Sequence, residues 1–127
     1  MTTQELRIGN AVMSQCRGEY KPHTIKSIWY NDEKSFYYVE LDNGFQCNIN
    51  GITPIPITEE LLLKNGFEQC GYIFKTLFIE MYEVANGWHL HIDNERFETA
   101  LSTTINYVHQ LQNAYYIATG KELEIKL

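Results

Sequence analysis

The sequence predicts an α+β protein with a β-rich first half and a second half built from an antiparallel hairpin and helices, one short and one long. Three observations carry this. Two x-Asn-Gly triplets, Asp42-Asn43-Gly44 and Ala85-Asn86-Gly87, each divide runs rich in β-branched and aromatic residues. Near the C-terminus, Ile105, Val108, Leu111, Tyr115 and Ala118 recur at three- and four-residue spacing, the period of a helix buried along one stripe. Between the halves, Ile52-Thr53-Pro54-Ile55-Pro56-Ile57 carries two prolines, which suit extended connecting chain rather than a central strand. The division expected is residues 1–57 and 58–127.

Strands are expected at Leu6–Met13, His23–Tyr30 and Ser35–Leu41. A two-residue Asn43-Gly44 turn would set Leu41 against Gln46 and Val39 against Asn48, apolar against polar. A three-residue loop with Gly44 left-handed sets Leu41 against Phe45, Val39 against Cys47 and Tyr37 against Ile49, all on one face. Thr58 is the N-cap of a short helix, Glu59–Asn65, with Glu59 and Glu60 complementing its dipole. Gly66 and Phe67 end it, Phe67 reaching back to Leu62.

The same three-residue reading of Ala85-Asn86-Gly87, between strands Tyr72–Val84 and Trp88–Asp93, pairs Val84 with Trp88, Tyr82 with Leu90 and Glu80 with Ile92. Phe78, Tyr82, Val84, Trp88, Leu90 and Ile92 then form the apolar face, while Glu83, Met81 and Ile79 oppose His89, His91 and Asp93. A further strand covers Arg96–Leu101. Ser102-Thr103-Thr104 caps the long helix, which runs to about Thr119 before Gly120, and Glu122–Leu127 alternates as a terminal strand.

Composition narrows the function classes. A chain of 127 residues has room for one ordinary domain or two very small ones. Its formal charge of -6 supplies no global positive field to collect phosphates, so non-specific nucleic-acid binding is disfavoured. The acid is uneven: up to Ile57 there are five basic and six acidic residues, and from Thr58 onward five basic and ten acidic. Cys16, Cys47 and Cys70 are odd in number and far apart, which spells neither a disulfide framework nor a zinc knuckle. No segment approaches the roughly 18 apolar residues of a membrane span and the opening residues lack a secretory pattern, so the expected compartment is the cytoplasm.

Chemistry-bearing patterns are few. His89, His91 and Asp93 alternate on one strand with Glu83 assigned across from them, a set that could ligate zinc. The same residues also make an ordinary solvated strand face opposite Trp88, Leu90 and Ile92, and this second reading is the stronger, so no metal is expected. No nucleophile elbow, phosphate-binding loop or metalloprotease motif occurs, and the expectation is a protein without catalysis or cofactor. Nine Tyr suit contact surfaces, because tyrosine combines large area with little entropy to lose. Polar-face Tyr38 and the second stripe of the long helix, His109, Gln112, Asn113 and Tyr116, with nearby Glu122, are the candidate partner contacts. Against this, His109, Gln112 and Asn113 could equally serve by capping backbone groups inside the fold.

Three blocks carry a resemblance. Leu6-Arg7-Ile8-Gly9-Asn10, then Pro54-Ile55-Pro56-Ile57-Thr58-Glu59-Glu60-Leu61-Leu62 with Asn65-Gly66-Phe67-Glu68, and Val108-His109-Gln110-Leu111-Gln112-Asn113-Ala114-Tyr115-Tyr116 with Thr119-Gly120-Lys121-Glu122-Leu123 together resemble small bacterial prophage and mobile-element proteins. Ala114 departs from the larger apolar residue more usual there. The resemblance implies an SH3-like small β-barrel first and an α+β unit second, and a phage-borne accessory role. The function expected is an anti-CRISPR inhibitor that binds a protein partner with a basic surface, an RNA-guided nuclease of the type VI, RNA-cutting class. The alternatives are a binding module for phage replication or assembly and, third, a metal-dependent enzyme.

Overall fold

The computed structural model describes residues 5–16, 19–76, 78–94 and 99–127. It is an α+β protein that, among the described residues, has two antiparallel five-stranded sheets and two α-helices, and the chain divides into two compact units, Met1–Ile55 and Pro56–Leu127. The division falls two residues before the one expected. Pro56 forms a bridge with Tyr107, and Ile57 donates its N–H to the Asn106 carbonyl at 3.0 Å, so the last residues of the Pro-x-Pro segment belong to the second unit.

In the first unit β1 (Ala11–Cys16), β2 (Glu19–Asn31), β3 (Phe36–Leu41) and β4 (Gln46–Asn48) form a meander. After a 3₁₀ turn at Ile49–Gly51, β5 (Ile52–Thr53) returns to pair with β1, and the strand order is β4-β3-β2-β1-β5. Among the described residues the sheet is not closed. Its core is Leu6, Val12, Ile25, Val39, Leu41, Ile49 and Ile52. Leu6–Asn10, expected to begin the first strand, is instead a turn: the buried Asn10 side chain accepts the Arg7 N–H at 2.6 Å, and Gly9, at φ +98°, donates to the Ile25 carbonyl at 2.8 Å.

The first hairpin has the expected loop. Leu41 N–H donates to Phe45 O and Gly44 N–H to Leu41 O, both at 2.9 Å, Gly44 has φ +84°, and Val39 lies opposite Cys47. The pair expected next, Tyr37 with Ile49, is not made. β4 ends at Asn48, whose side chain accepts the Asn50 N–H at 2.9 Å and turns the chain out of the ladder.

In the second unit α1 (Glu59–Lys64) is capped by Thr58 Oγ1, which accepts the Leu61 N–H at 3.1 Å. It ends as expected: Gly66 N–H donates to Leu63 O at 3.2 Å and Phe67 N–H to Leu62 O at 3.1 Å, with Leu62 and Phe67 both buried. β6 (Glu68–Cys70), β7 (Ile73–Thr76), β8 (Ile79–Val84), β9 (Gly87–Asn94) and β10 (Thr99–Ile105) follow in a simple meander, and α2 (Val108–Thr119) packs on β9 and β10.

Four expectations change here. Tyr72–Val84 is two strands folded on each other, Ile73 opposite Tyr82 and Thr76 opposite Ile79. The second hairpin slips by one residue: Val84 pairs with Gly87, Glu83 with Trp88, Tyr82 with His89, Met81 with Leu90, Glu80 with His91 and Ile79 with Ile92. The inner face is therefore Ile79, Met81, Trp88, Leu90 and Ile92, all buried, and Tyr82 and Val84 turn outward.

Ser102-Thr103-Thr104 continues β10 opposite His91, Leu90 and His89 instead of capping α2. The cap comes from within the helix, where Gln110 Oε1 accepts the N–H groups of Asn106 at 2.8 Å and Tyr107 at 3.1 Å. Of the strand expected at Arg96–Leu101, residues 96–98 lie outside the described residues and Thr99 onward is β10.

Last, Glu122–Leu127 is not a strand despite its alternation. Its backbone bonds to side chains: Lys126 N–H donates to Asn65 Oδ1 at 2.6 Å, Asn65 Nδ2 to Lys126 O at 2.9 Å, and Lys64 Nζ to Leu127 O at 2.7 Å.

Candidate functional site

The second sheet has two unlike faces. One is the core against which α2 packs, and the other is open to solvent. Alternation along each strand and register between strands assemble the open face row by row. One row runs Glu68, Lys75, Glu80, His91 and Ser102 across all five strands. The next runs Cys70, Ile73, Tyr82, His89 and Thr104. Lys75 between Glu68 and Glu80 places opposite charges directly across the ladder, the favourable arrangement.

Beside the acidic row lies a cleft of 680 Å³ whose lining includes Glu68, Glu80 and Asp93, with Lys75, His91 and Phe78. Three carboxylates against one ammonium leave it negative. The aromatic row is held together by ring contacts. Tyr82 and His89 lie 4.8 Å apart, Tyr72 meets Tyr82 edge-on at 5.9 Å, and His89 Nε2 is 3.0 Å from Ser102 Oγ. Tyr72 is 73% exposed, so much of this tyrosine surface faces solvent.

The four residues weighed as metal ligands separate. His89, His91 and Asp93 share the open face, but Glu83 sits across from Trp88 on the opposite side of the sheet. The one-residue slip moved it. Among the described residues no three His, Cys, Asp or Glu side chains are placed to hold a metal ion.

The helical stripe is also rearranged. His109 is fully buried and stacks parallel to Tyr107 at 6.0 Å, and buried Gln112 donates its amide to the Leu123 carbonyl at 3.3 Å. Asn113 is half-buried, while Tyr116 and Glu122 are exposed. The helix buries a wider arc than a single apolar stripe, taking in His109 and Gln112, and Gln112 supplies a donor to the segment after Gly120. Gln112 thus does what the backbone-capping reading requires, and of the stripe Tyr116 is the residue set at the surface.

In the first unit, Tyr38 is half-buried against Trp29, ring centroids 6.0 Å apart, with Lys34 Nζ 5.8 Å from its ring centre. On the opposite side of the same hairpin Tyr30 and Tyr37 meet at 5.0 Å, and both are exposed because the hairpin extends beyond the core. Partial burial raises the Asp42 carboxyl, but the hydrogen bond from His23 at 2.8 Å, backbone bonds from Thr24 and Asn43 and the His23 charge outweigh it and hold it below its ordinary value.

Sequence reading missed the acidic row and the Tyr72–Tyr82–His89 row. The signal for both is the register of β8, since shifting it by one residue exchanges Glu80 and Tyr82 for Ile79 and Met81 on the open face. No helix among the described residues is long and apolar enough to cross a membrane. No protein-family model, no curated protein and no solved structure matches the chain.

Proposed function

We propose that this chain is a non-catalytic binding protein whose partner is a protein with a basic surface. Its biological role, on this reading, is that of a phage-borne inhibitor of a host defence system in the bacterial cytoplasm. The specific form is an anti-CRISPR protein directed at a type VI, RNA-cutting effector. The observation that carries the reading is the open face of the second sheet. It sets a negatively charged cleft, with Glu68, Glu80 and Asp93, beside the exposed Tyr72 and the Tyr82–His89 pair. Effectors that hold RNA present basic grooves, and an acidic, aromatic face of this kind suits them by electrostatic steering and by tyrosine contact area.

On the same reading the first unit is an SH3-like small barrel, supported by the four-strand meander, the 3₁₀ turn and the return of β5 to β1. The test is a target-RNA cleavage assay with a type VI effector–guide complex and increasing amounts of the full chain, paired with co-purification of the two. Expected is loss of cleavage near equimolar protein together with a complex that weakens as salt rises. Full cleavage at tenfold excess, with no complex at low salt, overturns the reading.

A further inference from the structure

A second cleft, of 570 Å³, lies at the turn end of the second sheet, where β8 meets β9. Trp88, Tyr107, Val84 and Ile57 line it, together with Glu59 from the first turn of α1 and Glu83 from β8. Among the described residues lining it none is basic, and both carboxylates are exposed.

Its walls are fixed before any ligand arrives. The Trp88 indole N–H donates to the Ile57 carbonyl at 3.1 Å, and its ring meets Phe74 edge-on at 5.7 Å. Trp88 is only 5% exposed and so closes the bottom of the cleft. Tyr107 is held by its parallel stack on His109 and by the Gln110 side chain on its N–H. The arrangement depends on the register of the second hairpin, which sets Glu83 across from Trp88. Gly87 allows it, because a Cβ there would lie 2.7 Å from the Ile105 carbonyl oxygen.

We propose that this cleft receives an arginine side chain of the basic protein partner, with the guanidinium between Glu59 and Glu83 and the aliphatic stem over Val84, Ile57 and Tyr107. The inference rests on the reading of the chain as a binder of basic protein surfaces. Arginine is the ligand because a planar, weakly hydrated guanidinium offers donors in two directions, enough for carboxylates on two separate elements, and stacks on an aromatic ring. Ammonium is a compact point charge that keeps its water more strongly. Phosphate is repelled by both carboxylates, which excludes RNA as the occupant. Pre-fixed walls spare the ordering cost that a mobile site would carry.

The experiment titrates the full ¹⁵N-labelled chain with a blocked Gly-Arg-Gly-Arg-Gly peptide and follows the Trp88 indole N–H, identified by comparison with Trp29→Phe. Expected is a saturable shift of that resonance and of the Gly87 and Tyr107 amides. The same peptide with citrulline for arginine binds about tenfold more weakly or worse, and the lysine peptide also binds more weakly. Glu59→Gln/Glu83→Gln, surface changes that leave the amide spectrum folded, raises the dissociation constant about tenfold. Asp32→Asn/Glu33→Asn, exposed at the β2–β3 turn of the first unit, leaves it within about twofold. Shifts confined to Glu68, Glu80 and His91, equal binding of the citrulline peptide, or no saturable shift at Trp88 each overturn the arginine cleft. The broader reading fails separately, by absence of effector binding in the full chain.

Discussion

The two Asn-Gly triplets look alike in sequence and fold differently. Asp42-Asn43-Gly44 is a three-residue loop in which Gly44 takes a left-handed conformation and a Cβ would meet nothing within 4 Å. Ala85-Asn86-Gly87 connects its strands through two residues only, with Gly87 already paired to Val84. There a Cβ would lie 2.3 Å from Asn106 Oδ1 and 2.7 Å from Ile105 O. The first glycine is required by backbone torsion alone, and the second by torsion, at φ +148°, together with the close approach of the Ile105 carbonyl and Asn106. A turn motif therefore specifies a hairpin, while its register is decided by what the strands must bury.

The sharpest way to break this comparison is to exchange the faces of β8. Met81→Ala removes a fully buried side chain facing Leu90 and costs about 2–5 kcal/mol, whereas Tyr82→Ala on the open face costs at most about 1 kcal/mol, both by urea unfolding. A three-residue loop in the second hairpin would reverse that order. Next, Gly87→Ala costs about 2–3 kcal/mol, since backbone must shift, and more than Gly44→Ala, at about 1–2 kcal/mol for a left-handed residue with open space. Equal costs would mean that both glycines serve torsion alone.

The smallest effect concerns the charged end of the first hairpin. The folded Asp42 carboxyl titrates below its unfolded value of 3.8, so its contribution is present above that pH and disappears as pH falls through the lower, folded value. His23→Ala moves the Asp42 titration upward in a carboxyl NMR experiment. Because the Asp42 side chain is 42% exposed, the pH-dependent part of the stability difference from parent is a few tenths of a kcal/mol above pH 4 and closes in stronger acid, leaving the pH-independent cost of removing the 11%-exposed His23 ring.

Local chemistry was legible where the chain settles its own hydrogen bonds. The Thr58 cap, the Gly66–Phe67 stop and the Asp42–Gly44 loop are all complete within a few residues of sequence. What stayed hidden depends on distant partners. Glu122–Leu127 alternates like a strand, but Asn65, some sixty residues earlier, meets its backbone with a side-chain amide. Ser102-Thr103-Thr104 reads as a cap until β9 appears beside it. The candidate face was legible in its charge, which lies in the second half, but not in its membership. Glu80 and Tyr82 were assigned inward because a glycine in a strand looks the same as a glycine in a turn.

The central claim is that the open face of the second sheet carries the binding, and charge reversal at matched net charge tests it most directly. Affinity for the effector–guide complex is measured for Glu68→Lys/Glu80→Lys and for Asp32→Lys/Glu33→Lys, the latter exposed at the β2–β3 turn of the first unit. The account predicts that the second-sheet pair weakens binding about tenfold or more and the first-unit pair changes it by less than about threefold. Equal weakening by the two pairs, or a larger effect from the first, would contradict it.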